Sequence, residues 1–248
     1  MPRSILVVPC YNEARRLPVQ ELERFARADP GIGFVLVNDG STDSTLEVLR
    51  ALAARLPERF EVLDIQPNRG KAEAVRHGMQ RAFRADAVYA GYWDADLATP
   101  LDAIAELEDA LSEHPALIAV FGARVKLLGR SIERMALRHY LGRVFATAAS
   151  LVLGLAIYDT QCGAKLFRVC DETRALFGER FETDWIFDVE ILARLIAGRR
   201  ARGGPAVEDA IYELPLREWR DVAGSKITLS AFPRAAFGLL QIRRRYFC

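Results

Sequence analysis

The chain has 248 residues, 51% of them hydrophobic, which is enough apolar material for a large α/β core and argues against a disordered chain. A formal net charge of +1 provides no bulk field for nucleic acid, so any anion must be held by local clusters. The four cysteines, Cys10, Cys162, Cys170 and Cys248, form no Cys-x-x-Cys pair and have no histidine at zinc-ligand spacing, which points to a reduced, cytoplasmic protein.

The start, Met1-Pro2-Arg3-Ser4, runs directly into a short apolar strand and reads as neither a signal peptide nor a membrane span. Ser4-Ile5-Leu6-Val7-Val8 is a continuous apolar run, the pattern of a strand buried on both faces of a parallel sheet, and is expected to end at Pro9. After the polar turn Cys10-Tyr11-Asn12-Glu13, a helix is predicted from Pro18 to about Asp29. Gly33-Phe34-Val35-Leu36-Val37 is a second such strand and leads into Asn38-Asp39-Gly40-Ser41-Thr42-Asp43. Ser44-x-x-Glu47 has the spacing of a capping box, in which each side chain takes up the other residue's free backbone N–H, and predicts the next helix. Strand, loop and helix recur with Phe60 to Ile65, Gln66-Pro67-Asn68-Arg69-Gly70, and a helix from Lys71 to about Phe83. They recur again with residues 87–94, then Thr99 as cap, Pro100 at the first helical position and Asp102 completing the cap of a helix to about Glu113.

This alternation predicts right-handed βαβ units and a mainly parallel central sheet flanked by helices, with ligands beyond the carboxyl ends of the strands. The polar clusters at 11–13, 39–41, 68–71 and 94–96 all fall at such ends. Side chains two apart on a strand share a face, so Asp94 and Asp96 are expected to converge. Two adjacent carboxylates repel unless a hard divalent cation lies between them, and that cation can hold a diphosphate. Taken alone, an Asp-x-Asp triplet more often begins an ordinary loop. Neither Gly-x-Gly-x-x-Gly after the first strand nor a P-loop is present, which sets aside both of those phosphate sites. Lysine occurs only at Lys71, Lys126, Lys165 and Lys226, and three of these lie in expected Gly-containing loops, as either chance or phosphate binding would place them.

Val8-Pro9-Cys10-Tyr11-Asn12-Glu13, Asn38-Asp39-Gly40-Ser41-Thr42-Asp43, Asn68-Arg69-Gly70-Lys71 and Asp94-Ala95-Asp96-Leu97 together resemble the ordered motifs of inverting, nucleotide-sugar-dependent glycosyltransferases of the GT-A fold. Gly122-Ala123-Arg124, Asp159-Thr160-Gln161-Cys162-Gly163-Ala164-Lys165, Trp185-Ile186-Phe187-Asp188 and Trp219-Arg220-Asp221 narrow the resemblance. They are similar to the dolichyl-phosphate glucose and mannose synthases, on the glucosyl side, over about residues 5–226. The resemblance implies one GT-A domain over 1–248, with a nucleotide-sugar half (1–115), an acceptor half (116–226) and an amphipathic tail (227–248). It implies that Pro9, Tyr11, Glu13 and Asp39 hold the nucleoside, with Lys71 near it, that Asn12 and Gly40 belong to the same substrate-binding set, and that Asp94 and Asp96 hold Mg²⁺ or Mn²⁺ and the ribose or diphosphate. It further implies Arg124 and Arg138 as the acceptor-phosphate residues, with Gln161 and Lys165 contacting sugar or phosphate. Where mannose-type relatives carry a metal-binding Gln two residues after the second Asp, this chain has Ala98, which leaves the third protein ligand open.

From Arg124 onward basic residues gather, and Arg130, Arg134 and Arg138, four apart, would form one stripe on a helix. The apolar stretch within residues 144–157 is shorter than the roughly 20 residues that span a bilayer. A basic stripe beside a short apolar helix fits an amphipathic helix lying in a membrane interface, and residues 237–247 repeat the pattern. A solvated helix face is the plain alternative. Residues 184–197 read as an amphipathic helix, with Trp185 and Asp188 facing either substrate or core.

The expected function is transfer of glucose from UDP-glucose to a polyprenyl phosphate, undecaprenyl or dolichyl, with inversion at the anomeric carbon. The protein is expected to use Mg²⁺ or Mn²⁺, to sit peripherally on the cytoplasmic face of a membrane surface, and to bind no nucleic acid. The alternatives are a GDP-mannose-dependent mannosyltransferase and a non-catalytic nucleotide-sugar-binding protein. A sugar-nucleotide pyrophosphorylase is set aside, because its Gly-rich first loop is missing.

Overall fold

The structure, a computed structural model, describes residues 2–133, 136–222 and 231–248, without the side chains of 136–139, 141, 231 and 232. The chain forms two compact units, Met1–Leu97 with Gly163–Arg180, and Ala98–Cys162 with Phe181–Cys248. The first half of the chain runs β1 (Ser4–Cys10), α1 (Val19–Ala28), β2 (Ile32–Asp39), α2 (Thr45–Arg55), β3 (Phe60–Ile65), α3 (Lys71–Ala82) and β4 (Tyr89–Trp93). It crosses to the second unit with α4 (Ile104–Glu113), β5 (Ala119–Ala123), β6 (Ser131–Glu133) and α5 (Ala136–Leu153), and returns with β7 (Ala164–Arg168) and α6 (Asp171–Leu176). The second unit is completed by α7 (Phe187–Arg202), β8 (Ile211–Pro215), β9 (Glu218–Arg220) and α8 (Ala231–Tyr246).

In the first unit the strands lie in the order β3-β2-β1-β4-β7. All pairings are parallel except that of β7, which returns antiparallel to β4. The continuous apolar runs of β1 and β2 put Leu6, Val7, Val8, Leu36 and Val37 out of solvent, as strands covered on both faces require. Helix α3 packs on β1 and β2 through Ala74, Val75 and Met79, which are fully buried. In the second unit β5 and β8 pair in parallel with α4 against them, β6 pairs with β9, and α5, α7 and α8 pack on one another.

Several predicted boundaries move. Strand β1 continues through Pro9 and Cys10, in register with Val37 and Asn38. Pairing with β4 ends at Val7, opposite Tyr92, so the N–H that proline lacks is not needed on that side. The capping box at Ser44 does not form: Ser44 makes no side-chain cap, and Asp43 Oδ1 accepts the Thr45 N–H instead. Thr99 is buried with its hydroxyl 4.0 Å from the Cys162 sulfur, and Pro100 stays extended at ψ 143°, so a 3₁₀ turn over Leu101–Ala103 precedes α4. The helix predicted from 184 begins at Phe187. Arg130 precedes strand β6 and does not share a helix with Arg138; Arg134, Lys226 and the side chain of Arg138 lie outside the described residues.

Candidate active site

The first unit has a topological switch beside β1, since the chain passes from β1 to β2 and β3 on one side and then to β4 on the other. In open α/β sheets a ligand crevice opens beyond the carboxyl ends at such a point. The loops there are joined in series by specific hydrogen bonds. After β1, the Asn12 N–H donates to Ser41 Oγ (3.0 Å), the Glu13 N–H to Thr45 Oγ1 (2.8 Å), and Asn12 Oδ1 accepts the Thr42 N–H (2.9 Å). Asn12 holds this loop at φ 53°, a left-handed backbone that asparagine tolerates better than most residues. After β2, the Asp39 carboxylate accepts the N–H groups of Arg69 (2.8 Å) and Gly70 (2.9 Å) and the Asn68 side-chain amide (2.9 Å). Gly40 makes this closeness possible, for a Cβ there would lie 2.2 Å from the Asn68 nitrogen. After β3, Lys71 opens α3 and reaches Asp94 Oδ1 at 2.5 Å, which ties that loop to the end of β4.

The two carboxylates do not come from a strand. Strand β4 ends at Trp93, and Asp94 to Leu97 is a turn closed by the Leu97 N–H on the Asp94 carbonyl (3.1 Å). Leu97 adopts φ 49°, unusual for a bulky residue and a form of local strain that functional turns often carry. Both Asp94 and Asp96 are half-buried. Gly163 closes the other side of this turn: its carbonyl accepts the Asp94 N–H (2.9 Å), and a Cβ at 163 would sit 2.0 Å from Asp94 Oδ2. The segment at 163 thus lies at the Asp94 edge.

Electrostatics follow from burial. Burial pushes the Asp39 carboxyl above the ordinary aspartate range, against the pull of the Arg69 and Gly70 N–H groups. The Cys10 thiol is buried and its ionisation is pushed far up by desolvation, with the Glu13 charge adding to it, so it is an inert neighbour and no nucleophile. Tyr11 is exposed, Glu13 pairs with Arg16 (2.5 Å), and Pro9 is half-buried.

Lys165, Gln161 and Arg124 are each engaged within their own unit. Lys165 is not in a loop but in β7, wholly buried, with its ammonium 5.3 Å from the Tyr92 ring centre; it is a core cation closed to solvent. Gln161 belongs to the second unit, its N–H on Asp159 Oδ1 (3.2 Å). Arg124 follows directly on β5, as expected, but it is engaged by Asp159: Nε to Oδ2 at 2.6 Å, Nη2 to Oδ1 at 2.7 Å, and the Arg124 N–H to Oδ2 at 3.1 Å. Glu213 on β8 secures the same loop by accepting the N–H groups of Tyr158 and Asp159, both at 2.7 Å. Nothing local in the sequence marked Glu213, whereas Asp159 opens one of the family-like motifs. Among the described residues no three His, Cys, Asp or Glu side chains converge as a metal cage. Asp94 and Asp96 supply oxygen donors of the type a hard cation takes, and the cradle at Gly163 leaves room for the Asp94 carboxylate.

Comparison with known proteins agrees with this layout. The profile of Glycosyl transferase family 2 matches residues 5–171. A dolichyl-phosphate beta-glucosyltransferase of Trichomonas vaginalis is 33% identical, covering 96% of this chain and 70% of that protein. The human dolichyl-phosphate beta-glucosyltransferase is 31% identical over 97% of this chain and 75% of its own. Among solved structures, a mannosyltransferase of Pyrobaculum calidifontis in complex with GDP-Man and Mn²⁺ superposes with TM-score 0.63 at 21% identity, over 97% of this chain and 63% of its own. Glucosyl-3-phosphoglycerate synthase of Mycobacterium tuberculosis in complex with UDP superposes with TM-score 0.61 at 18% identity, over 98% of this chain and 80% of its own. At these identities the two structures bear on the fold alone. The chain belongs to glycosyl transferase family 2, as a GT-A glycosyltransferase of the group that holds the dolichyl-phosphate beta-glucosyltransferases.

Proposed function

We propose that this enzyme transfers glucose from UDP-glucose to a polyprenyl phosphate with inversion at the anomeric carbon. The observation that carries the reading is the stitched carboxyl edge of the first unit, where Asp39, Lys71 and the Asp94–Asp96 turn are joined, in a chain about one-third identical to glucosyltransferases named for dolichyl phosphate. The nucleoside is assigned to Pro9, Tyr11, Asn12, Glu13, Asp39 and Gly40. Asp94 and Asp96 would hold a Mg²⁺ or Mn²⁺ ion, which when bound supplies positive charge to the departing diphosphate. Lys71, already against Asp94, brings a cation of the chain's own to the same place.

An acceptor phosphate oxygen attacks the anomeric carbon on the face opposite the diphosphate, the bond to the diphosphate oxygen breaks, and UDP departs with the bonding pair. A phosphate monoester has a second pKa of about 6, so the nucleophile is largely ionised near neutrality and needs no strong base. The residues have instead to bring two anions together, for which arginine is suited. Arg124 and Arg138 are assigned to the acceptor phosphate, with Asp159 orienting Arg124. Because the acceptor is a lipid, the enzyme is placed peripherally on the cytoplasmic membrane face. Among the described residues no helix is long and apolar enough to cross a membrane.

Incubation of purified enzyme with UDP-glucose, GDP-mannose and other nucleotide sugars plus a short polyprenyl phosphate, followed by mass spectrometry of the lipid, tests the reading. Glucosyl lipid from UDP-glucose is expected; mannosyl lipid from GDP-mannose would transfer the assignment to the mannosyl branch, and no product from any donor would favour a binding protein. Asp96→Asn should stay folded and lose at least about a hundredfold in turnover. Full wild-type activity in EDTA would remove the metal from the scheme.

A further inference from the structure

Lys71 stands where arginine is the usual choice of this chain, in which lysine supplies four of the 34 basic side chains. It is the first residue of α3, after a Gly70 held at φ 91°. A cation there faces the positive end of the helix dipole, so helix stability does not explain it. The side chain reaches across to the end of β4, where its ammonium lies 2.5 Å from Asp94 Oδ1. That oxygen is closed off from solvent, although the Asp94 side chain as a whole is 35% exposed, so the carboxylate opens on its Oδ2 side. Gly163 lies against the same carboxylate, close enough that a Cβ there would meet both Oδ2 and the carboxyl carbon. These residues, with Asp96, all belong to the first unit.

This arrangement sets how a divalent cation can reach the turn. Two carboxylates with nothing between them repel, and would draw a hard cation from solution on their own. With the Lys71 ammonium on Oδ1, one of the two charges is already balanced and one of the oxygens already covered. Among the described residues no third His, Cys, Asp or Glu side chain completes a cage here. The bare turn is therefore a poor cation site, and further oxygens have to come from the ligand. A diphosphate offers them, and it also offers Lys71 a partner with more charge than one carboxylate. Lysine suits this exchange. A guanidinium would grip the carboxylate at two points and hold it, whereas an ammonium on a four-carbon stem makes a single contact and can swing away. At 44% exposure, the Lys71 side chain has room to do so.

We propose that Lys71 takes the cation's place at Asp94 in the unliganded enzyme and leaves it for the diphosphate when the nucleotide arrives, so that nucleotide and divalent cation bind as one unit. This role rests on the reading of Asp94 and Asp96 as the metal carboxylates. Its consequence is a coupling. The nucleotide tightens cation binding by the same factor by which the cation tightens nucleotide binding, and Lys71 carries part of that factor. Binding of Mn²⁺ is measured from the electron paramagnetic resonance signal of the aquated ion, which is lost on binding. The proteins are wild type, Lys71→Met, Lys71→Gln, Lys71→Arg and Lys71→Met/Asp96→Asn, each alone and with saturating UDP or GDP. No turnover is needed.

Without nucleotide, Lys71→Met and Lys71→Gln should bind Mn²⁺ at least about tenfold more tightly than wild type, because a like charge beside the ion is gone. Lys71→Arg should bind it as weakly as wild type, and Lys71→Met/Asp96→Asn should lose the gain. With nucleotide, wild type and the single variants should all hold the ion, but the tightening that nucleotide causes should be at least about tenfold smaller in Lys71→Met than in wild type. If nucleotide brings the ion in but wild type and both neutral variants bind it equally without nucleotide, the proposal is overturned and the metal reading stands. Mn²⁺ held by none of the proteins, with either nucleotide, would reject the metal reading and the proposal together. A gain in Lys71→Met that survives Asp96→Asn would put the ion elsewhere and overturn the proposal as well.

Discussion

Removing Arg124 separates a structural role from an acceptor-binding one. Its guanidinium makes two side-chain hydrogen bonds to Asp159, at 2.6 and 2.7 Å, and the two side chains are only 15% and 7% exposed. Arg124→Ala removes one partner of a buried ion pair, a change that costs about 3–5 kcal/mol. For a chain of this size each kcal/mol is about 2–4 °C, so melting should fall by about 6–20 °C. Arg124→Lys keeps the charge but loses the planar two-point contact, and should fall between wild type and alanine. Arg124→Leu/Asp159→Leu should recover part of the loss, because both charges of the pair are then removed together. Calorimetric melting of the four proteins, read beside UDP affinity and acceptor KM below the transition, is the assay. UDP affinity should stay within about twofold, because no nucleoside contact is assigned to Arg124 or Asp159. If Arg124→Ala melted as wild type does, the pair with Asp159 would not stabilise the fold. A loss confined to acceptor KM would then leave acceptor binding as the whole role of Arg124.

The other predictions concern the first unit. Asp39→Ala should weaken UDP binding by about 1–3 kcal/mol by calorimetry and also lower the melting temperature, since the Arg69 and Gly70 N–H groups lose their acceptor; unchanged affinity would move the nucleoside elsewhere. Because burial raises the Asp39 carboxyl in the folded state, its contribution to stability is present below the unfolded value of about 3.9 and is lost as pH rises through the higher folded one. Asp39→Asn should therefore flatten the stability profile in that window, and an NMR titration that places Asp39 at or below the unfolded value would contradict this. Gly163→Ala puts a methyl where Asp94 Oδ2 now lies, at 2.0 Å, and should reduce affinity for UDP with Mn²⁺ at least about tenfold; wild-type affinity would mean that the turn yields without consequence.

Much of this was legible in the residues alone because it is local. Unbroken apolar runs such as Ser4-Ile5-Leu6-Val7-Val8 bury both faces and can only be inner strands, and the polar clusters that interrupt them, at Asn12, Asp39, Asn68 and Asp94, mark the carboxyl edge. Tertiary structure decided which partner each polar group takes, because that is a competition between groups distant in the chain. Ser44 lost its capping role to Asp43, and Asp39 met donors about thirty residues away in the 68–70 loop. Asp94 and Asp96 share a site through a turn and not through strand alternation, a turn shaped by Gly163, which arrives on the antiparallel return of β7. That same return carries Lys165 into the core, since its place in a strand, and not the glycine before it, sets which way it faces. Arg124 shows the limit most plainly: its position after a strand was readable, but its bond to Asp159, thirty-five residues on, exists only once the chain has folded back on itself.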